Sequence, residues 1–224
     1  MGHCGACHTP RNLFGAPERD RALAGARIDA FDAPDIRTEA LKKRGWNREL
    51  LATFFESGAG PKGTAWGEMF LAVKNSLRYL THDDRIAIAT YLLDTSAADP
   101  SYGDTVIATQ GDAVAAADKT ARVLYLNNCS MCYGPRGKGQ EGAAPPLVAN
   151  STLAQPDGRN LIEAIANGFP YPAAEPESSP MPAFKDRLSR AQIADLANYL
   201  RRSFVAGTTG LPVLTETDVD AVLQ

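Results

Sequence analysis

Apolar residues recur at three- and four-residue spacing along much of the chain, and no stretch shows a convincing strand-like alternation. The pattern predicts an all-α protein. Leu50, Leu51, Phe54 and Phe55 make the apolar side of a helix over about 48–57, with Asn47 as its cap and Gly58 as its stop. Thr81 with Asp84 reads as a capping box. The helix behind it points Ile86, Ile88, Tyr91 and Leu92 toward a core. Ser189 with Gln192 is a second box, and its helix carries Ile193, Leu196, Ala197 and Leu200 at helical spacing. Residues 159–167 form a short helix stopped by Gly168. A helix over about 112–127 places Val114, Ala117, Ala121, Leu124 and Tyr125 on one face.

These elements divide the chain into two similar halves. Each opens with Cys-x-x-Cys, runs through a Gly/Pro-rich loop and closes with an amphipathic helix. The stretch from Asp94 to Asp104 is rich in turn formers and begins a linker. The expected organisation is a domain over 1–95, a linker over 96–111, a domain over 112–206 and a short, mostly polar tail over 207–224. The first half has no helix leading into its Cys-x-x-Cys, because only three residues precede Cys4. That asymmetry implies that the sequence starts inside a domain.

Composition changes the picture in three places. A net charge of −3 excludes a broad basic surface for nucleic acid. No apolar run approaches the ~18 residues of a membrane-spanning helix, and no signal peptide is visible at Met1-Gly2-His3-Cys4. Aromatic residues are only 8%, beside 15 Pro and 19 Gly, so something other than aromatic side chains is expected to fill part of the core.

The cysteines carry the chemistry. There are four, and all fall in the pairs Cys4/Cys7 and Cys129/Cys132. Cys4-Gly5-Ala6-Cys7-His8 is Cys-x-x-Cys-His, the attachment signature of c-type haem. Two thiols one helical turn apart reach the two vinyl groups of the porphyrin, and the next residue lies under the iron, where a neutral imidazole is a good ligand. Met69, 61 positions after His8, is the candidate sixth ligand, in a loop ahead of the closing helix. A thioether favours ferrous iron and raises the reduction potential. Other readings of the motif are a thioredoxin-like pair, which needs a βαβ context, a zinc site joining pairs 121 residues apart, and two small strained disulfide loops. His3 and His82 read as surface residues. Arg11, Trp46 and Arg159 are candidate contacts to haem propionates.

The second motif, Cys129-Ser130-Met131-Cys132-Tyr133, keeps both thiols and lacks the histidine. A glycine-rich loop follows, and Met181 lies 48 positions after Tyr133, ahead of the second closing helix. Three outcomes stay open. Tyr133 ligates iron as a phenolate, which its ordinary pKa of ~10 opposes; Met181 holds the iron alone or with water; or the site stays empty.

His3-Cys-Gly-Ala-Cys-His-Thr-Pro-Arg-Asn12 resembles the middle haem segment of the cytochrome c subunits of membrane-bound dehydrogenases, the multihaem partners of alcohol, gluconate, fructose and related dehydrogenases. Ala33-Pro-Asp-Ile36, Trp46-Asn-Arg-Glu-Leu50, Tyr79-Leu-Thr-His-Asp-Asp84 and Ile88-Ala-Thr-Tyr-Leu92 are similar to that family as well. So are Met181 to Ser189 and Ile193 to Leu200. The resemblance covers nearly the whole chain, as the second and third of three haem domains. It implies two class I cytochrome c-like domains, the first lacking its N-terminal helix, so that an apolar face of helix 82–93 is left uncovered. It implies haem c, a periplasmic location, and membrane association through a complex rather than a spanning helix of this chain. It also implies electron transfer from a dehydrogenase catalytic subunit toward ubiquinone or an oxidase, with no substrate chemistry in this chain. Tyr133 departs from the family histidine, and the extra C-terminal anchor is not evident. The competing classes are a haem enzyme or ligand-binding protein with an open position at Tyr133, and a degenerate fragment without haem.

Overall fold

Short-range bonds from side chain to backbone start the helices where the sequence places them. The Asn47 side chain accepts the Leu50 amide at 2.8 Å, and Gly58 closes the same helix with a left-handed φ of 73°. Thr81 and Asp84 exchange reciprocal bonds, as do Ser189 and Gln192.

The computed structural model describes residues 3–94, 116–140, 144–169, 180–205 and 210–224. The linker expected over 96–111, the helix start expected near 112, and Val114 lie outside these residues. The described helices are α1 (Cys4–His8), α2 (Thr38–Lys43), α3 (Arg48–Ser57), α4 (Glu68–Asn75) and α5 (His82–Leu93), then α6 (Ala116–Asn128), α7 (Ser130–Tyr133), α8 (Arg159–Asn167), α9 (Arg190–Phe204) and α10 (Glu216–Leu223). Two small antiparallel hairpins join them, β1 (Ala26–Ile28) with β2 (Phe31–Ala33), and β3 (Ala59–Gly60) with β4 (Gly63–Thr64). Periodicity did not reveal these strands, because two or three residues are too few to alternate visibly.

The chain forms two compact units. One comprises Met1–Gly58 and Gly67–Val106, the other Ala59–Trp66 and Ile107–Gln224. The β3–β4 hairpin therefore groups with the second Cys-x-x-Cys motif, although it lies in the sequence between the first motif and Met69.

In the first unit α2 and α3 pack against α5. Leu41, Trp46, Leu51, Phe55, Leu77, Leu92 and Leu93 form the buried core, and Thr38 Oγ1 ties α2 to α5 through the Leu92 carbonyl at 3.0 Å. The buried residues of α5 are Arg85, Ala89, Leu92 and Leu93. Tyr91, expected to face the core, is 79% exposed. Helical period explains the difference: Tyr91 lies 200° from Ala89 about the axis at 100° per residue. His82 opens α5 at the surface, beside Glu49 at 3.8 Å.

In the second unit α6, α8 and α10 all pack on α9. Ile193, Leu196, Ala197 and Leu200 are buried as expected. Tyr125 is fully buried beside Tyr199 and Phe204, at ring separations of 5.7 and 5.2 Å, and its hydroxyl donates to the Gly134 carbonyl. Ala197 and Tyr199 repeat the order of Ala89 and Tyr91, yet Tyr199 is 5% exposed because α6 lies against it. The polar tail also differs from its reading. Thr215 and Asp218 box the start of α10, Val219 is fully buried, and Asn198 of α9 both donates to and accepts from the Leu214 backbone at 2.8 and 2.9 Å.

Ser189→Ala should destabilise the second unit by about 1 kcal/mol. Asn198→Ala should cost more, since two buried backbone groups lose their partner at about 1–3 kcal/mol for each unsatisfied group. Urea midpoints at an unchanged slope check both.

Candidate functional site

α1 is a single turn that carries Cys4, Cys7 and His8. Its last residue is held from two directions. The Gly25 amide donates to the His8 carbonyl at 2.8 Å, and the His8 ring Nδ1 lies 2.7 Å from the Pro34 carbonyl oxygen. A carbonyl only accepts, so Nδ1 carries the proton and Nε2 keeps a free lone pair. Burial lowers the His8 pKa, outweighing the Pro34 bond that raises it, so the ring is neutral at neutral pH. Pro34 is fixed in turn by its neighbour: Arg44 donates to the Asp35 carbonyl and, at 3.0 Å, to that of Ala40. The thiols Cys4 and Cys7 are free and partly buried.

Met69 shares the first unit with α1. It does not sit in a loop, as expected, but in the first turn of α4, and it is partly buried. Gly67 turns the chain into α4 at φ 54°, where a Cβ would lie 2.8 Å from the Phe31 ring.

In the second unit Cys129 ends the long α6 segment, and α7 carries Cys132 and Tyr133. The Cys132 and Tyr133 amides donate to the Cys129 carbonyl at 3.2 and 3.0 Å. Cys129 is buried and Cys132 exposed. Burial pushes the Cys129 thiol up to about 12. A thiolate is the species that attacks disulfides and binds zinc, and this environment opposes it. Met181 is placed by a two-bond bridge to Phe169, at 2.8 and 3.2 Å. The Tyr133 hydroxyl donates to Met181 Sδ at 3.3 Å. Both side chains line an apolar cavity of about 60 Å³ whose walls include Cys129, Leu147, Ile165, Phe169, Phe184 and Leu200.

The geometry thus collects Cys4, Cys7, His8 and Met69 in one unit, and Cys129, Cys132, Tyr133 and Met181 in the other. The expected propionate contacts have other partners. Trp46 is buried edge-on against Phe54, Arg11 binds the Gly15 and Ala6 carbonyls, and Arg159 reaches the Ala221 carbonyl. Two wall residues of the second cavity, Thr64 and Trp66, lie in the sequence just ahead of Met69.

The cytochrome c family profile matches residues 118–203. The chain is 33% identical to the cytochrome c subunit of a quinone alcohol dehydrogenase from Gluconacetobacter polyoxogenes, over 97% of its own length and 49% of that subunit. It is 33% identical to the cytochrome c subunit of gluconate 2-dehydrogenase from Pantoea cypripedii, over 98% and 53%. It is 32% identical to the cytochrome subunit of a fructose dehydrogenase from Gluconobacter japonicus, over 91% and 46%. Nearly the whole chain is similar to these dehydrogenase cytochrome c subunits, and residues 118–203 match the cytochrome c domain. The chain spans about half the length of the relatives it matches.

The family implies haem c, and the two sites fit it differently. At the first, a buried neutral imidazole with its Nε2 lone pair free, next to two thiols one turn apart, is a suitable donor set. At the second, the thiol pair is in place, but a cavity of about 60 Å³ with Tyr133 and Met181 in contact does not accommodate the group. Two donors on opposite sides of one iron stand roughly 4 Å apart, at about 2.0–2.3 Å per bond to a first-row metal. Tyr133 and Met181 meet at 3.3 Å. A phenol reaches further from the backbone than an imidazole, and its hydroxyl meets the thioether directly.

Gly168 stops α8 at φ 65°, and a Cβ there would lie 2.1 Å from the Met181 carbonyl. Gly168→Ala should therefore destabilise the second unit by at least about 1 kcal/mol and break the Phe169–Met181 bridge. Amide-proton chemical shifts of Phe169 and Met181 check the second effect.

Proposed function

We propose that the chain is a periplasmic electron carrier, loaded with haem c at Cys4 and Cys7. His8 is the proximal ligand and Met69 the distal one. The observation that supports this most directly is the Pro34 carbonyl on His8 Nδ1, which orients the ring and leaves Nε2 as the donor. The bound group supplies a one-electron ferric/ferrous couple, and a thioether on the iron raises its potential. The chain would hold the group through Cys4 and Cys7 with a neutral His8 imidazole as one donor and the Met69 thioether as another. Electrons come from a dehydrogenase catalytic subunit, as the names of the relatives suggest, and pass to ubiquinone or an oxidase. No helix among the described residues is long and apolar enough to cross a membrane.

A second reading applies to the Tyr133 site alone. The 3.3 Å contact between Tyr133 and Met181 opposes a six-coordinate iron there. If haem attaches at Cys129 and Cys132, Tyr133 must swing aside or remain off the metal, leaving a position open to small ligands. Carbon monoxide binding to the reduced protein separates the readings, because a His/Met iron resists it.

Covalent haem per chain, measured by intact mass after periplasmic expression with the cytochrome c maturation machinery, is the primary test. One haem, mapped to the Cys4–Cys7 peptide, is the minimum expected, and none on a folded chain overturns the proposal. Tyr133→His should raise the haem-to-protein ratio; an unchanged ratio would count against Tyr133 as the obstacle. Met69→His should lower the reduction potential of the first site with haem retained, and an unchanged potential on redox titration would remove Met69 from the ligand set.

A further inference from the structure

Arg44 closes α2, and one of its bonds is the ordinary one for a cation at a helix C-terminus: Nε donates to the Ala40 carbonyl at 3.0 Å. The other bond is not local. Nη2 reaches nine residues back to the carbonyl of Asp35, the next along the chain from the carbonyl that meets His8 Nδ1 at 2.7 Å. Neighbouring residues are about 3.8 Å apart, so guanidinium and imidazole lie within roughly 10 Å of one another. Both acceptors of Arg44 are neutral. The Asp35 carboxylate is engaged by Arg37 instead, which donates Nε at 3.0 and 3.1 Å, Nη2 at 2.5 Å and its amide at 2.9 Å. Burial on its own raises the Asp35 pKa, but the Arg37 bonds bring it below the ordinary value, so the carboxylate is ionised at neutral pH. One acid is thus set against two arginines, and a positive charge is left over beside the His8 site. Both charges reach the ring: after burial and the Pro34 bond, Arg44 lowers the His8 pKa and Asp35 raises it.

A neutral amide could tie the same two carbonyls. A partly buried guanidinium gives up hydration to do so, and that loss lowers its pKa. The charge itself has a use at a one-electron centre. Ferric haem carries one positive charge more than ferrous haem, so a fixed cation nearby favours the reduced form. We propose that Arg44 is a positioning residue whose charge raises the reduction potential of the haem at Cys4 and Cys7, and that the Asp35 carboxylate offsets part of that effect. The proposal rests on the reading of the first site as a haem c site with His8 as ligand. At an effective dielectric of about 20, a unit charge roughly 10–15 Å away moves an equilibrium about tenfold, which is about 59 mV for one electron.

The full chain is matured in the periplasm, covalent haem is mapped to the Cys4–Cys7 peptide, and the potential of that haem is read by redox titration. Arg44→Gln keeps an amide donor and removes the charge. It should shift the ferric/ferrous equilibrium about tenfold toward ferric, with the absorption spectrum unchanged, and Arg44→Lys should restore the wild-type potential. Asp35→Asn can still accept the Arg37 amide, and it should raise the potential. A loosened site that admits water would lower the potential in both variants, so opposite signs are the mark of charge. Shifts of the same sign, or unchanged potentials in Arg44→Gln and Asp35→Asn, overturn the proposal. If Arg44→Gln does not fold, Asp35→Asn still decides, since a potential that fails to rise there overturns it. Wild type without haem on the Cys4–Cys7 peptide overturns this proposal together with the reading beneath it; haem present with unshifted potentials overturns this proposal alone.

Discussion

The first site depends on a backbone carbonyl. Imidazole is useful to a metal only when it is neutral, correctly rotated and protonated on the far nitrogen. Pro34 supplies the last two conditions through one bond, and burial supplies the first. The elements around α1 are arranged to keep that carbonyl still. β1 and β2 deliver the chain to Pro34, Gly25 anchors the backbone of His8, and Arg44 holds the residue after the proline. A carbonyl has the advantage over a carboxylate that it places no charge beside the ring.

The second site shows what one substitution does to such an arrangement. The helix turn, the buried thiol, the glycine-rich loop and the methionine on its bridge are all in place. The difference is the length of one side chain. Tyr133 crosses the gap to Met181 and makes a protein–protein contact where the first site leaves a donor free. The unit remains folded around it because most of its stability comes from elsewhere, from the Tyr125, Tyr199 and Phe204 cluster and from α10 seated on α8 and α9.

Much of this was legible in the chain because it is local. Asn47, Thr81 and Ser189 act within three residues of themselves, and their caps appear as written. The Cys-x-x-Cys-His signature is local as well. Tyr91 was misplaced because an aromatic ring near a helical stripe looks buried until its neighbours are known. α10 carried a readable box at Thr215 and Asp218, but too few apolar positions to draw attention. The contacts that define the sites were not readable. Pro34 meets His8 across 26 residues and through a group every residue possesses. Thr64 and Trp66 face a cavity whose cysteines lie in the other half of the sequence.

The ownership of the β3–β4 hairpin also bears on how the chain is made. Synthesis delivers residues 59–66 well before Ser151, Phe169 or Met181 exists, so the hairpin waits for most of the remaining chain. Meanwhile α3 and α5, on either side of it, can already dock through contacts close in sequence. The hairpin would then hang as a loop from a finished structure, with Ala65 and Trp66 open to water until the second half arrives. Synthesis passes through that interval, and separating residues 59–66 from the rest of the second unit would leave one product with a stranded loop and the other with a breached wall.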